Sequence, residues 1–94
     1  PPEASIAITD GLVASRLAVC DNQFVGARSV YLWQGAVERA EEDLLVIKCT
    51  SSRLAGVEAW LREHHPYDVP EFLVLKPEHV AAAYAEWVVR ESTT

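Results

Sequence analysis

The chain is short of cysteine, glycine and positive charge, and each shortage removes a class of explanation. Two cysteines, Cys20 and Cys49, in 94 residues are too few for the disulfide scaffold that small secreted domains build. They read as free thiols in a reducing, intracellular setting. With no signal-peptide pattern in view, the expected compartment is the cytoplasm. Four glycines supply no phosphate-binding loop, and neither CxxC nor HExxH occurs. Eight Lys and Arg stand against 14 Asp and Glu, for a net charge of −6. The basic residues (Arg16, Arg28, Arg39, Lys48, Arg53, Arg62, Lys76 and Arg90) are scattered. That balance argues against nucleic acid or an anionic membrane as partner. No apolar run is long enough to span a bilayer. The standard enzyme signatures are missing.

What is present is apolar and aromatic. Half of the residues are hydrophobic and three are Trp, a generous load for one small domain, read as residues 1–94. At this size burial within one chain is limited, and association often completes the core.

The periodicity predicts six elements. Residues 3 to 19 read as a helix, with Ile6, Thr9, Val13, Leu17 and Cys20 recurring at three and four and Ile8, Leu12 and Val19 widening the apolar face. Gly11 weakens it by roughly 1 kcal/mol relative to Ala. Asp21-Asn22 breaks the pattern. Ala27 to Val37 reads as a strand with Val30 and Leu32 on one face and Tyr31 and Trp33 on the other. Gln34-Gly35 predicts a bulge or bend. The charged run Glu38 to Asp43 reads as a solvated turn leading into Leu44 to Thr50, an apolar strand buried on both sides. The two strands are close enough to form a hairpin.

Ser51 or Ser52 is expected to cap the next helix, whose inner face carries Leu54, Val57 and Leu61. Pro66 stops it at His64-His65. A strand from Val69 to Leu75 follows. Pro77-Glu78 then opens a last helix striped by Val80, Tyr84, Trp87 and Val88. The order α-β-β-α-β-α indicates an α+β sandwich with helices on one face of the sheet. Its crossover, from residue 44 to residue 75, is expected to be right-handed. The sheet's apolar faces exceed what its helices can cover, which points to a neighbouring subunit.

Chemistry concentrates in His65-Pro66-Tyr67-Asp68-Val69-Pro70-Glu71. Imidazole, phenol and carboxylate sit there on a stiff connection between two packed elements, where function usually lives.

Together with that stretch, Arg16-Leu17-Ala18-Val19-Cys20, Ser29-Val30-Tyr31-Leu32-Trp33-Gln34-Gly35, Glu42-Asp43-Leu44-Leu45-Val46-Ile47-Lys48 and Tyr84-Ala85-Glu86-Trp87 resemble the CutA divalent-cation-tolerance family. They follow the family's order over residues 4 to 91. The resemblance implies a ferredoxin-like fold, βαββαβ with a closing helix, assembled as a homotrimer similar to the PII nitrogen-signalling proteins. It also implies divalent-cation binding, copper first, without turnover. In animals, relatives are linked to anchoring acetylcholinesterase.

Two departures stand out. The family opens with a strand before its first helix, and this chain begins at that helix. The expectation is an incomplete version of the family pattern, or another segment in the slot, because the missing strand is central to the sheet. Second, Asp21-Asn22-Gln23-Phe24 is more polar than the run the family tends to show after its cysteine.

By resemblance and residue type, Cys20, His65 and Glu71 are the candidate metal ligands, since sulfur and nitrogen donors favour Cu(II) or Zn(II). Trp33, Tyr67 and Tyr31 would line a binding cleft between subunits. Plainer readings stand beside these. Cys20 also reads as a small packed residue, and His65 as a turn former bonded to a backbone carbonyl. Trp33 and Tyr67 read as interface aromatics. Cys49 reads as core, and His64 and His79 as solvent-facing. An enzyme would need Cys49 or Cys20 within reach of His65 and an oxyanion site, which nothing in the sequence predicts. Two further functions stay open: a PII-like regulatory or anchoring module with a ligand or partner in the same cleft, and a purely structural trimer.

Overall fold

The computed structural model describes residues 2–64 and 71–92. Helix α1 (Pro2–Ala14) leads into a hairpin of β1 (Cys20–Trp33) and β2 (Ala36–Lys48). A single 3-10 turn (Ser51–Arg53), helix α2 (Leu54–His64) and helix α3 (Ala82–Ser92) complete the described chain.

α1 stops a turn and a half before the sequence pattern predicts. Arg16 takes φ 63°, the left-handed conformation that reverses a chain at a helix end. Leu17 N–H bonds the Leu12 carbonyl at 3.1 Å and Arg16 N–H bonds that of Val13 at 3.0 Å. These are the paired bonds of a Schellman motif, which satisfies helix-end carbonyls and tucks the next apolar residue back against the helix. Leu17 and Ala18 therefore reach the core through a reversal and not through another helical turn. Apolar spacing alone cannot distinguish the two.

β1 begins at Cys20, so Asp21 to Phe24 are strand and not a break. β1 and β2 pair antiparallel from Cys20↔Lys48 to Trp33↔Ala36. Gln34-Gly35 is the hairpin turn itself: both φ angles are positive, 50° and 82°, as the two-residue turns that match strand twist require. The bulge lies elsewhere, where Phe24↔Leu44 is followed by Ala27↔Glu42. The run Glu38 to Asp43, expected as a turn, belongs to β2, with Glu41 opposite Arg28. A long β2 gives these charged residues ladder partners that local composition did not suggest.

The bulge has a geometric effect. Side chains alternate faces along a strand, and one extra residue reverses the alternation. Asp21 and Gln23 share a face with Ile47 and Leu45, and beyond the bulge so do Arg28, Val30 and Leu32 with Glu41, Arg39 and Val37. The other face carries Cys20, Asn22 and Phe24, then Ala27, Ser29, Tyr31 and Trp33. Without the bulge, Cys20 and Trp33 would lie on opposite faces.

α1 and α2 cover the first of these faces at its root. Ile8, Leu12, Ala18, Val57 and Leu61 form the buried cluster, with Leu17, Leu45, Ile47, Cys49, Trp60 and Phe72 packed against it. Gly11 belongs to this contact: a Cβ there would overlap the Trp60 ring, so the weak helix former allows close approach of the two helices.

The remaining elements also differ from expectation. The 3-10 turn displaces Ser51 and Ser52 from the capping position, which Thr50 occupies without a side-chain capping bond. The strand expected over 69–75 has no ladder among the described residues; residues 71–75 run irregularly, with Leu73 and Leu75 exposed. The described sheet thus has two strands, not three, because a strand exists only where a neighbour completes its hydrogen bonds. α3 starts at Ala82, four residues beyond Glu78.

Candidate functional site

The hairpin distributes the candidate residues along its length. Cys20 opens β1 opposite Lys48 and is half-buried, a free thiol on the sheet face turned away from the helices. Tyr31 and Trp33 share that face at the far end of β1 and are 42% and 49% exposed. With the 14 residues of β1 rising about 3.3 Å each, Cys20 and Trp33 lie roughly 40 Å apart along the strand. The longest dimension of the protein is 45 Å. One chain therefore cannot close Cys20 and the two aromatics into one pocket.

Between these ends the same face carries Phe24, Leu44 and Val46, all exposed. The helix-side face is bare at the tip too, where Leu32 is 74% exposed beside Val30 and Val37. Several large apolar side chains exposed on one hairpin suit a binding or assembly surface.

Glu71 follows the undescribed stretch and is exposed. His65 and Tyr67 lie outside the described residues. No group of three or more His, Cys, Asp or Glu side chains converges among the described residues. His64 and His79 are exposed, and His64 stacks on Trp60 with ring centroids 4.2 Å apart. Cys49 packs against the core, where burial, and after it the negative field of Asp21, push its thiol pKa up.

Asp21 is the residue that the sequence pattern concealed. Among the described residues, neither of its buried carboxylate oxygens has a hydrogen-bond partner. Desolvation raises its pKa from 3.8 to about 6, and Lys48 only partly offsets this. It lines a groove beneath α1 with Thr9, Asp10, Val13 and Ala14. Its neighbour on the same face, Gln23, finds a partner, donating from Nε2 to Asp43 Oδ2 at 2.8 Å. Reading Asp21 to Phe24 as strand would have exposed the anomaly, because Asp21 alternates into the face of Leu45 and Ile47.

Known proteins resemble this chain along nearly its whole length. The family model for the CutA1 divalent ion tolerance protein matches residues 2–91. The divalent-cation tolerance protein CutA of Pectobacterium atrosepticum is 36% identical over 81 residues, covering 86% of this chain and 74% of that protein. Among solved structures, CutA1 from a psychrotrophic Shewanella bacterium superposes with a TM-score of 0.94 at 26% identity, covering 100% of this chain and 88% of the other. The divalent cation tolerance protein of Thermus thermophilus gives 0.90 at 34% identity over 94% and 85% of the two chains. A neighbour from Archaeoglobus fulgidus, described as periplasmic, gives 0.92 at 25% identity over 97% and 88%. The two helices on one face of an antiparallel hairpin are thus part of an α+β, ferredoxin-like fold. With a match running nearly end to end, this chain belongs to the CutA1 divalent ion tolerance family.

Proposed function

We propose that the protein binds divalent metal ions without turnover, as a homotrimer, in clefts between its copies. Copper is the first candidate. Cys20, His65 and Glu71 would supply thiolate, imidazole and carboxylate, a donor set suited to Cu(II) or Zn(II). Tyr31, Trp33 and Tyr67 would line the cleft.

One observation carries this reading. Cys20, Tyr31 and Trp33 share an uncovered apolar face, yet a single chain holds them roughly 40 Å apart. A second copy that lays its hairpin tip beside the first copy's Cys20 would join them and cover Phe24, Leu44 and Val46 at the same time. Such burial is worth about 25 cal/mol for each Å² of apolar surface removed from water. The free thiols suit a reducing compartment, so we assign the protein to the cytoplasm, unlike the relative described as periplasmic.

Titration with Cu(II) and Zn(II) tests the ligand set. The His65→Ala, Glu71→Ala double variant should bind at least tenfold more weakly than the wild type. Equal affinity removes these residues as ligands. Sedimentation at micromolar concentration should show three copies; a well-folded lone protomer removes the cleft.

The breadth of the apolar face favours a second reading. It offers more contact surface than a metal ion needs, as a PII-like regulatory or anchoring module would require for a small ligand or a protein segment. Metal content of the purified protein, measured per subunit, separates the two.

A further inference from the structure

We propose that Arg16 and Arg53 form a latch on the C-terminal end of α3, so that opening it releases this helix as a unit while the rest of the fold persists. Arg16 Nη1 donates to the Glu91 carbonyl at 2.9 Å and also meets the Glu91 carboxylate at 3.5 Å. Arg53 Nη2 donates to the Ser92 carbonyl at 2.7 Å. The two guanidinium groups come from separate turns, one after α1 and one before α2, and converge on the last two residues of α3.

The chemistry at that end is specific. The last carbonyls of a helix lack intrahelical partners and carry its partial negative charge. Charged donors make stronger bonds to them than neutral ones do. Ser92 at the latched end is buried, 5% exposed, whereas Val89 and Tyr84 on the same helix are 59% and 43% exposed.

Arg16 supplies an independent observation. Its left-handed backbone, φ 63°, is the position where helix ends favour glycine, and a side chain there costs conformational energy. A guanidinium that reaches α3 is a reason to accept that cost. α3 is also reached through irregular chain from residue 71 to residue 81, outside any strand among the described residues. Elements held by few contacts open locally, below the free energy of global unfolding. The latch lies within one chain and is independent of the assembly proposed above.

Hydrogen exchange followed by mass spectrometry tests it on the full chain. In the Arg16→Ala, Arg53→Ala double variant, amides of residues 82–92 should lose at least tenfold in protection, while those of the hairpin and α1 keep theirs. The Arg16→Lys, Arg53→Lys variant should retain part of the protection. Arg16→Gly should relax the turn and still loosen α3. Unchanged protection over residues 82–92 in the double alanine variant overturns the latch. So does equal loss across α3 and the hairpin, because α3 would then not open separately.

Discussion

The root and the tip of the hairpin belong to the same pair of strands and live in different solvents. At the root, Leu45 and Ile47 pack against the cluster that α1 and α2 bury around Leu12 and Val57. At the tip, Leu32, Trp33 and Val37 stand in water. Composition barely separates the two ends, since both are apolar. Helix length decides: two helices of 13 and 11 residues, at about 1.5 Å per residue, reach roughly 20 Å and cannot cover a ladder roughly 40 Å long. The root is stabilised within the chain, and the tip is left for whatever docks on it.

Substitutions can break this comparison. Leu12→Ala, at a fully buried site, should cost about 2–5 kcal/mol in urea unfolding through lost transfer energy and a residual cavity. A cost near zero would mean that the root is not the core. Gly11→Ala should be destabilising by about 1–3 kcal/mol, because the new methyl overlaps the Trp60 ring. Helix propensity alone predicts the opposite sign, so the direction measured in the same assay discriminates between them.

Asp21 sharpens the contrast through pH. Its folded-state pKa is raised from 3.8 to about 6, so between those values the native state holds a proton that the unfolded chain releases. Stability from this group therefore falls as pH rises through that window, and the penalty is complete above about 6. Asp21→Asn should raise stability at pH 7.5 by about 1 kcal/mol, allowing for screening by water, and change little at pH 4. Thermal melts at the two pH values check this; a lower melting temperature at pH 7.5 would show that the carboxylate has a partner. The smallest effect belongs to the tip. Leu32→Ser should change the chain's own stability by less than about 0.5 kcal/mol, and by sedimentation it should weaken any association that uses the tip.

Much of the fold was legible. Val30 and Leu32 against Tyr31 and Trp33 alternate as a strand must, and the ladder confirms their faces. Val57 and Leu61 lie on the inner face of α2, as helical spacing predicts. The misreadings share one cause. Leu17 looks helical because spacing by three and four ignores a reversal at Arg16. Glu38 to Asp43 look like a turn because charge was read without the partner strand. Asp21 looks like a breaker, and its burial becomes visible only once its register with Ile47 is known. Of the candidate site, the residue types and the family were readable from the motifs. The separation of Cys20 from Trp33 was not, since it depends on how far one uninterrupted ladder runs.

Local chemistry alone was enough to settle the alternation of faces and the apolar inner stripe of α2, because each is written in residue types at short spacing. The end of α1, the bulge that brings Cys20 and Trp33 to one face, the burial of the Asp21 carboxylate and the convergence of Arg16 and Arg53 on α3 were decided by tertiary structure. Each of these depends on groups far apart in the chain finding or missing a partner, and no window of neighbouring residues contains that energy.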